Sequence, residues 1–478
     1  FMENEARYGG GLSVQRTTGL FRVENTKFLK NSGRCYLSSL ESLKMKCQIL
    51  NASFEDNIYH AANTGAIIVS RVTVVVVMHT EFVQNVAAEI AMSGGTSFTC
   101  HTCQFLCINS YHTRFSLEIE FVETVTLSQS QISESQGTYM HIAERLVVFN
   151  CKFIMNKMGL TIEAINKAII AGSKFSQNMA WNGAGISISQ CINIYIHRCL
   201  FMKNIAKHLG GSIYISRYDN FDKFMIKSII SRYDNFDGFM TKSIISRAQF
   251  HKNNAIEGGS IYLEKVIFLK ITFSVLLENR GENQGGGLQV KKPITDFPAV
   301  IELLNCVFSD NISPEGSAIH INLVMGVSYY AIHPFKAVVI GNTVISLNSK
   351  QNTTGLLVFV QSKIMHFYNI LFNRNIKNRR ILDLVISDQA YFSNVTFPCP
   401  GGTYLYAYHD AHKDDEPVPI WFMCKSCDKA FYVIKHEQWS LNTQITKINS
   451  DKLPYQCHKC PAFSVCTNGE ITTVPNHW

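Results

Sequence analysis

A four-residue frame, Phe-x-x-Asn, returns along this chain at Phe28/Asn31, Phe54/Asn57, Phe82/Asn85, Phe153/Asn156, Phe175/Asn178, Phe201/Asn204, Phe250/Asn253, Phe308/Asn311 and Phe372/Asn375. Looser copies stand around Phe105, Phe273, Ile345 and Phe397. Several spacings fall between 21 and 28 residues, room for one turn of a three-sided coil. A unit of that size cannot bury its apolar face alone, so the copies must stack on one another. After each Asn comes a polar stretch, then small residues leading into an alternating strand. Examples are Gly65 to Val69 (GAIIV), Gly183 to Ile188 (GAGISI), Gly210 to Ile215 (GGSIYI), Gly258 to Leu263 (GGSIYL), Gly285 to Val290 (GGGLQV) and Gly316 to Ile321 (GSAIHI).

Each part has a physical use. The alternation points Ile, Leu or Phe inward and Ser, Tyr or His outward, at the two-residue period of a strand. The Phe stacks on the Phe of the next coil. The Asn tolerates left-handed backbone at the corner and can form an amide ladder with its neighbours. The glycines permit a tight corner where a Cβ would clash. A leucine-rich horseshoe needs Leu-x-x-Leu-x-Leu frames and helices, and neither is present. The expected fold is all-β: a right-handed parallel β-helix solenoid over 1–398, closed by a small disulfide-rich C-terminal cap over 399–478.

These frames resemble the Phe-x-x-Asn and Gly-Gly-Ala-Ile repeats of chlamydial polymorphic membrane proteins, within the wider pectin-lyase-like β-helix group. The resemblance spans roughly residues 8 to 398. It implies the fold and leaves the function open, because that group holds lyases, hydrolases, adhesins and toxins.

One stretch breaks the rhythm. Ser216 to Ile230 (SRYDNFDKFMIKSII) is repeated at Ser231 to Ile245 (SRYDNFDGFMTKSII), an irregular duplicated insert over 216–245. It reads as a recent tandem duplication, either a protruding Tyr/Asp/Phe-rich loop with a binding role or a neutral irregular coil.

Of 15 Cys, nine precede residue 398 and six crowd into the last 80 residues. Cys103, Cys151, Cys199 and Cys306 each sit two positions before a coil Phe or its looser copy, where other coils have Thr, Ser or Ala. They are read as reduced, inward and buried. Cys100, Cys103 and Cys107 could be taken for metal ligands; Cys103, Phe105 and Cys107 share the strand period, which favours packing. The last six, Cys399, Cys424, Cys427, Cys457, Cys460 and Cys466, are an even number in a loop-rich segment and read as disulfide staples. The rival is a zinc ribbon from Cys424, Cys427, Cys457 and Cys460, whose 29-residue spacer exceeds the usual ribbon loop.

The tail also resembles the segment that closes the ectodomain of large eukaryotic β-helix membrane proteins, through Cys457, Cys460, Pro461, Cys466, Gly469, Ile471, Asn476 and Trp478. That resemblance implies a membrane-proximal ectodomain whose anchor lies beyond this chain. Both ends read as cuts: Tyr8 to Val14 (YGGGLSV) looks like the second half of a coil. Four glycosylation sequons, at Asn51, Asn311, Asn352 and Asn394, fit an extracellular or cell-surface location, although Pro314 weakens the second.

The chemistry of catalysis is harder to find. The frames of a polygalacturonase are absent, as are a Ser/His/Asp frame, a phosphate-binding Gly loop and His-Glu-x-x-His. The one dense acidic cluster, Asp410, Asp414, Asp415 and Glu416, reads as a solvated link between solenoid and cap. His197, His251 and His320 stand in separate coils without acidic company in sequence. The net charge of +8 is spread along the chain, and its densest basic stretch, Arg374 to Arg380, is short. That argues against nucleic acid. The expected function is a non-catalytic extracellular binding or adhesion segment, without cofactor or metal, contacting a protein or glycan at the cell surface. The alternative is a carbohydrate-active enzyme, a polysaccharide lyase or glycoside hydrolase, which would need clustered carboxylates on one sheet face. A zinc-stabilised intracellular solenoid is the third reading.

Overall fold

The structure is a computed structural model. It describes residues 12–15, 19–31, 35–38, 45–57, 65–85, 88–106, 115–216, 242–265, 267–291, 299–323, 336–347, 356–374, 380–397, 399, 403–409, 418–427, 431–432, 439–446, 457–461, 464–467 and 470–473. All its regular elements are strands. The chain divides into two units, Phe1–Gln249 and Phe250–Trp478. Each is built on a right-handed parallel β-helix, the sense that parallel crossovers take.

One coil of unit 1 shows how the sequence makes the turn. The strand Thr138–Phe149 bends at Ile142, which is left-handed (φ 52°). Asn150 is left-handed too (φ 53°) and turns the chain into the short strand Lys152–Ile154; Met155 (φ 54°) then turns it again, into Asn156. The following coil repeats this in parallel register, from Thr138↔Leu160 through Phe149↔Ala171 and on to Lys152↔Lys174. Inward Met140, Leu146, Val148 and Phe153 are buried.

The Phe residues form ring stacks along the core. Phe28, Phe54, Phe82 and Phe105 follow one another at 4.6, 5.1 and 4.9 Å, and Phe153, Phe175 and Phe201 at 4.7 and 4.9 Å. Three coils use other residues in this place. Ile132, Leu276 and Ile345 stand where Phe stands elsewhere, and Ser135 takes the place of the Asn in the first of them.

The Asn ladder is present, but its geometry corrects the expected backbone. The left-handed residue is the one before each Asn: Lys30, Asp56, Gln84, Gln177, Lys203, Lys252 and Asp310. That turn aims the Asn amide inward. Asn178 Nδ2 donates to Phe153 O one coil back and to Asn204 Oδ1 one coil on, while its Oδ1 accepts from Asn156 N. Asn31, Asn57 and Asn85 are linked alike, as are Asn253, Asn279 and Asn311. Left-handed Asn does occur at the other corner, at Asn25, Asn51 and Asn150.

Two positions before the stacked residue sits a small donor. Ser130 and Ser173 hydroxyls donate to the carbonyl two residues back, at 2.9 and 3.0 Å. The thiols of Cys103, Cys151, Cys199 and Cys306 make the same contact at 3.4–3.5 Å. This explains why Cys alternates there with Ser and Thr. All four are buried and outside any disulfide, as are Cys47, Cys100 and Cys191. Burial pushes the Cys47 and Cys191 thiols up to about 12, and those of Cys151, Cys199 and Cys306 to about 11. In the unfolded chain they ionise near 8.5. Their contribution to stability is therefore whole below about pH 8.5 and shrinks as pH rises toward 11–12. Urea midpoints are expected to fall between pH 8 and pH 10. Iodoacetamide should spare these seven in the native protein and label them after unfolding; native labelling would show the slots to be open.

In unit 2 the corner glycines Gly258, Gly285 and Gly316 are left-handed (φ 61, 61 and 59°). A Cβ on each would fall 2.6–2.8 Å from the Cβ of Tyr262, Gln289 or His320, the outward residue four positions on. Phe273 does not occupy a stack position: it is left-handed (φ 51°) and 59% exposed, and Leu276 fills the core place. Beyond the strand Arg380–Phe397 the pairing changes. Val418–Ser426 and Trp439–Thr446 lie antiparallel on it, and Thr403–His409 pairs with Val418–Ser426. The boundary expected at 398/399 thus lies inside unit 2, with paired strands on either side.

Candidate functional site

Disulfides join Cys399–Cys424, Cys427–Cys457 and Cys460–Cys466, so the six C-terminal cysteines are staples and their sulfurs form no zinc ribbon. Cys100 and Cys103 point into the core, where the Cys103 sulfur lies 3.5 Å from Val77 O as well as from His101 O; Cys107 lies outside the described residues. So do residues 217–241 of the duplicated insert, Asp410, Asp414, Asp415, Glu416, Asn352, Asn375 and most of the basic stretch. The other sequons separate by burial. Asn51 and Asn394 are exposed and donate to Asn25 and Asn369. Asn311 is 1% exposed, and its Nδ2 is bonded to Leu276 O; the ladder takes this residue, which corrects its reading as a glycan acceptor.

The histidines also need correction, because coil-to-coil register gives two of them acidic neighbours. His251 Nε2 lies 3.3 Å from Glu278 and His320 Nε2 lies 3.7 Å from Glu315. His197 instead bonds Ser246 Oγ at 2.7 Å. Burial, then Arg198 and Arg247, lower its pKa and keep it neutral.

Two constellations emerge. In unit 1, parallel register lines up Glu118, Tyr139 and Thr161 in one outward row, and Glu120, His141 and Glu163 in the next. The Tyr139 hydroxyl donates to Glu163 Oε2 at 2.7 Å, and His141 Nδ1 lies 4.0 Å from Glu120 Oε1. The rings are close: Phe115 stacks on Tyr139 at 5.0 Å, Tyr139 neighbours His141 at 5.7 Å, and Phe121 meets His141 edge-on at 5.8 Å. Burial, reinforced by Glu163, Glu120 and Glu118, raises the Tyr139 pKa well above the usual phenol range, so the hydroxyl stays a donor. Phe121 is 45% exposed, and the side chains of His141 and Glu120 are partly open to solvent. The result is an aromatic face with three carboxylates, able to stack on a flat partner and accept hydrogen bonds from it.

In unit 2 the crease at the Gly corners holds a connected polar network. Lys291 Nζ donates to both oxygens of Glu257, at 3.1 and 2.9 Å. Gln289 Nε2 donates to Glu257 and to Gln284, and Gln284 Nε2 to Glu315 at 2.6 Å. His320 stacks on Phe359 at 4.7 Å. The His320 contact, followed by the Gln284 hydrogen bond, lowers the Glu315 pKa despite partial burial. Gln289 and His320 are almost wholly buried on the outward side of their strands. The network ties the coils together at the corner but leaves Gln289 Oε1 and His320 Nδ1 buried without a hydrogen-bond partner among the described residues.

Sequence reasoning missed Tyr139, His141, Glu118, Glu120 and Glu163 because the partners that meet across coils, Glu118 with Tyr139, Glu120 with His141 and His141 with Glu163, are 21 or 22 residues apart along the chain. The signal was available: aligning coils on the ladder residues, at the 21- and 22-residue steps Ser135–Asn156 and Asn156–Asn178, puts His141 between the two Glu.

No protein-family model and no curated protein matches the chain. Solved structures overlap it, among them two over most of its length. The periplasmic alginate epimerase AlgG does so at 14% identity and a TM-score of 0.36, over 75% of this chain and 76% of the epimerase. The tailspike protein of E. coli bacteriophage HK620, in complex with a pentasaccharide, does so at 9% identity and a TM-score of 0.27, over 91% and 86%. The functional reading rests on the chain's own residues.

Proposed function

We propose that this chain is a non-catalytic binding segment of an extracellular, membrane-anchored β-helix protein, and that the unit 1 face holds an uncharged glycan. One observation carries the reading. Three successive coils bring Phe115, Phe121, Tyr139 and His141 together with Glu118, Glu120 and Glu163 on one partly exposed face. Sugar rings offer C–H faces to aromatic rings and hydroxyl donors to carboxylates, and both are provided. The carboxylates disfavour an acidic ligand. The three disulfides support an oxidising compartment.

The glycosidase reading draws on the same carboxylates. Glu120 and Glu163 are two coils apart, about 9–10 Å by strand spacing, near the upper end of the separation an inverting pair uses. His141 stands in register between them, where water and sugar would have to sit, and Tyr139 already engages Glu163. Binding is the better account.

Calorimetric titration of the whole chain with neutral oligosaccharides tests it. Tyr139→Ala and Glu163→Gln are each expected to weaken binding about 10- to 100-fold, the equivalent of one charge-assisted hydrogen bond or one ring contact. Undiminished affinity in both variants refutes the assignment of the face. Release of new reducing ends would replace it with the hydrolase reading.

A further inference from the structure

A different side of unit 1 carries an aromatic and basic platform. The strands Met179–Asn182 and Ile205–Leu209 pair in parallel, Met179↔Ile205 and Ala180↔Ala206, but then Asn182 meets Leu209. Trp181 therefore stands opposite two residues, Lys207 and His208: a β-bulge, which re-aims side chains. Without it, alternation would turn either Lys207 or His208 inward; here both are exposed. Trp181 is 66% exposed, the most open of the large apolar side chains among the described residues. It stacks on the His208 ring at 6.0 Å and 22°.

The platform is held in place. Asn182 Oδ1 accepts the Leu209 N–H at 3.1 Å, and the left-handed Gly183 (φ 57°) donates its N–H to Leu209 O at 2.9 Å. Met179 (54% exposed) and Ile205 (43%) extend the apolar surface beside the indole. Lys203, also exposed, lies at the adjoining corner. Neither strand contains a carboxylate, so the local charge is positive, the reverse of the Tyr139 face. A lone exposed apolar residue needs no explanation. A bulge-presented indole stacked on an imidazole, flanked by apolar residues and ammonium groups, is a surface for a flat anionic partner.

We infer that the Trp181–His208 platform binds the acidic sugar residues of a polyuronate. The C–H face of one pyranose lies on the indole, and its carboxylate meets the Lys207 ammonium and a His208 N–H. This site is separate from the neutral-glycan face, and its ligand has the opposite charge preference. Single-stranded nucleic acid also offers flat rings and anions, but the platform has one indole and no series of rings for successive bases.

The test uses the intact chain and its intrinsic tryptophan fluorescence, with oligogalacturonate, an uncharged oligogalactose of equal length and oligo-dT as probes. Oligogalacturonate is expected to quench saturably. Trp181→Ala should abolish that quench and weaken binding, read by calorimetry, at least tenfold. Lys207→Gln should weaken it several-fold and flatten its salt dependence. Because Trp181 is exposed, the variant should keep the parent's circular dichroism and melting temperature. Tyr139→Ala should leave oligogalacturonate binding unchanged, which separates this site from the neutral-glycan face. No saturable quench at millimolar oligogalacturonate, equal binding of oligogalactose, or unchanged affinity in Trp181→Ala each overturns the proposal. Tighter, Trp181-dependent binding of oligo-dT overturns it in favour of a nucleic-acid surface.

Discussion

Asn178→Ala is expected to destabilise unit 1 by about 3–6 kcal/mol, far more than truncating an ordinary polar side chain. The wild-type amide makes three contacts at 3.0 Å: Nδ2 to Phe153 O, Nδ2 to Asn204 Oδ1, and Oδ1 from Asn156 N–H. Asn178 is fully buried, so water does not replace them. Alanine orphans the Asn156 N–H, at about 1–3 kcal/mol, and takes one hydrogen bond each from Phe153 O and Asn204 Oδ1, the latter keeping the N–H of residue 178. Asn178→Asp should do worse, because it sets a carboxylate against the Phe153 carbonyl and the Asn204 amide oxygen. Asn51→Ala is the control: its amide bonds Asn25 at 3.2 Å on the exposed corner, and a loss below about 1 kcal/mol is expected. Urea denaturation followed by circular dichroism gives all three values. Equal small losses at Asn178 and Asn51 would show that the ladder is ornament to the Phe stack.

The ladder also shows which parts of the fold were legible. Phe-x-x-Asn announced itself because both positions face a core that repeats every coil. The left-handed residue before the Asn did not, because solvent faces that position and admits Lys, Asp, Gln, Glu or Met. Phe273 misled for the converse reason: it carries the right side chain at a corner, while Leu276 supplies the core. Ile132 and Ser135 hid a whole coil by substituting both marks at once. With that coil missed, Glu120, His141 and Glu163 could not be put in register. Function on a solenoid is written across coils, so an error of one coil erases a site even when the fold is read correctly. The Trp181 platform lay further out of reach, since nothing in Ile205 to Leu209 (IAKHL) announces that two consecutive residues face outward.

Removing the Cys399–Cys424 bridge, as the double variant Cys399→Ala with Cys424→Ala, is expected to produce the largest change in association behaviour. The bridge closes a segment with a sequence separation of 25, worth about 3.5 kcal/mol by loop-closure entropy. Its position matters more than its size. Cys399 follows the strand Arg380–Phe397 almost directly, and Cys424 lies in Val418–Ser426, which pairs antiparallel with that same strand. Phe422, fully buried, packs against Phe397 at 5.7 Å and Phe392 at 5.6 Å. A parallel solenoid ends on a strand with open hydrogen-bonding groups, and here Val418–Ser426 and Trp439–Thr446 occupy them. With the staple gone, these short strands hold on by antiparallel pairing and packing, and release of both exposes the edge of the 18-residue strand. Light scattering should show concentration-dependent association of the variant, accompanied by faster proteolysis between residues 399 and 446. Loss of Cys460–Cys466, with a sequence separation of six, is worth only about 2 kcal/mol and leaves that edge covered, so that variant should remain unassociated. A Cys399/Cys424 variant that stays monomeric and resists protease would show that Phe422 packing and the antiparallel pairing close the solenoid without covalent help.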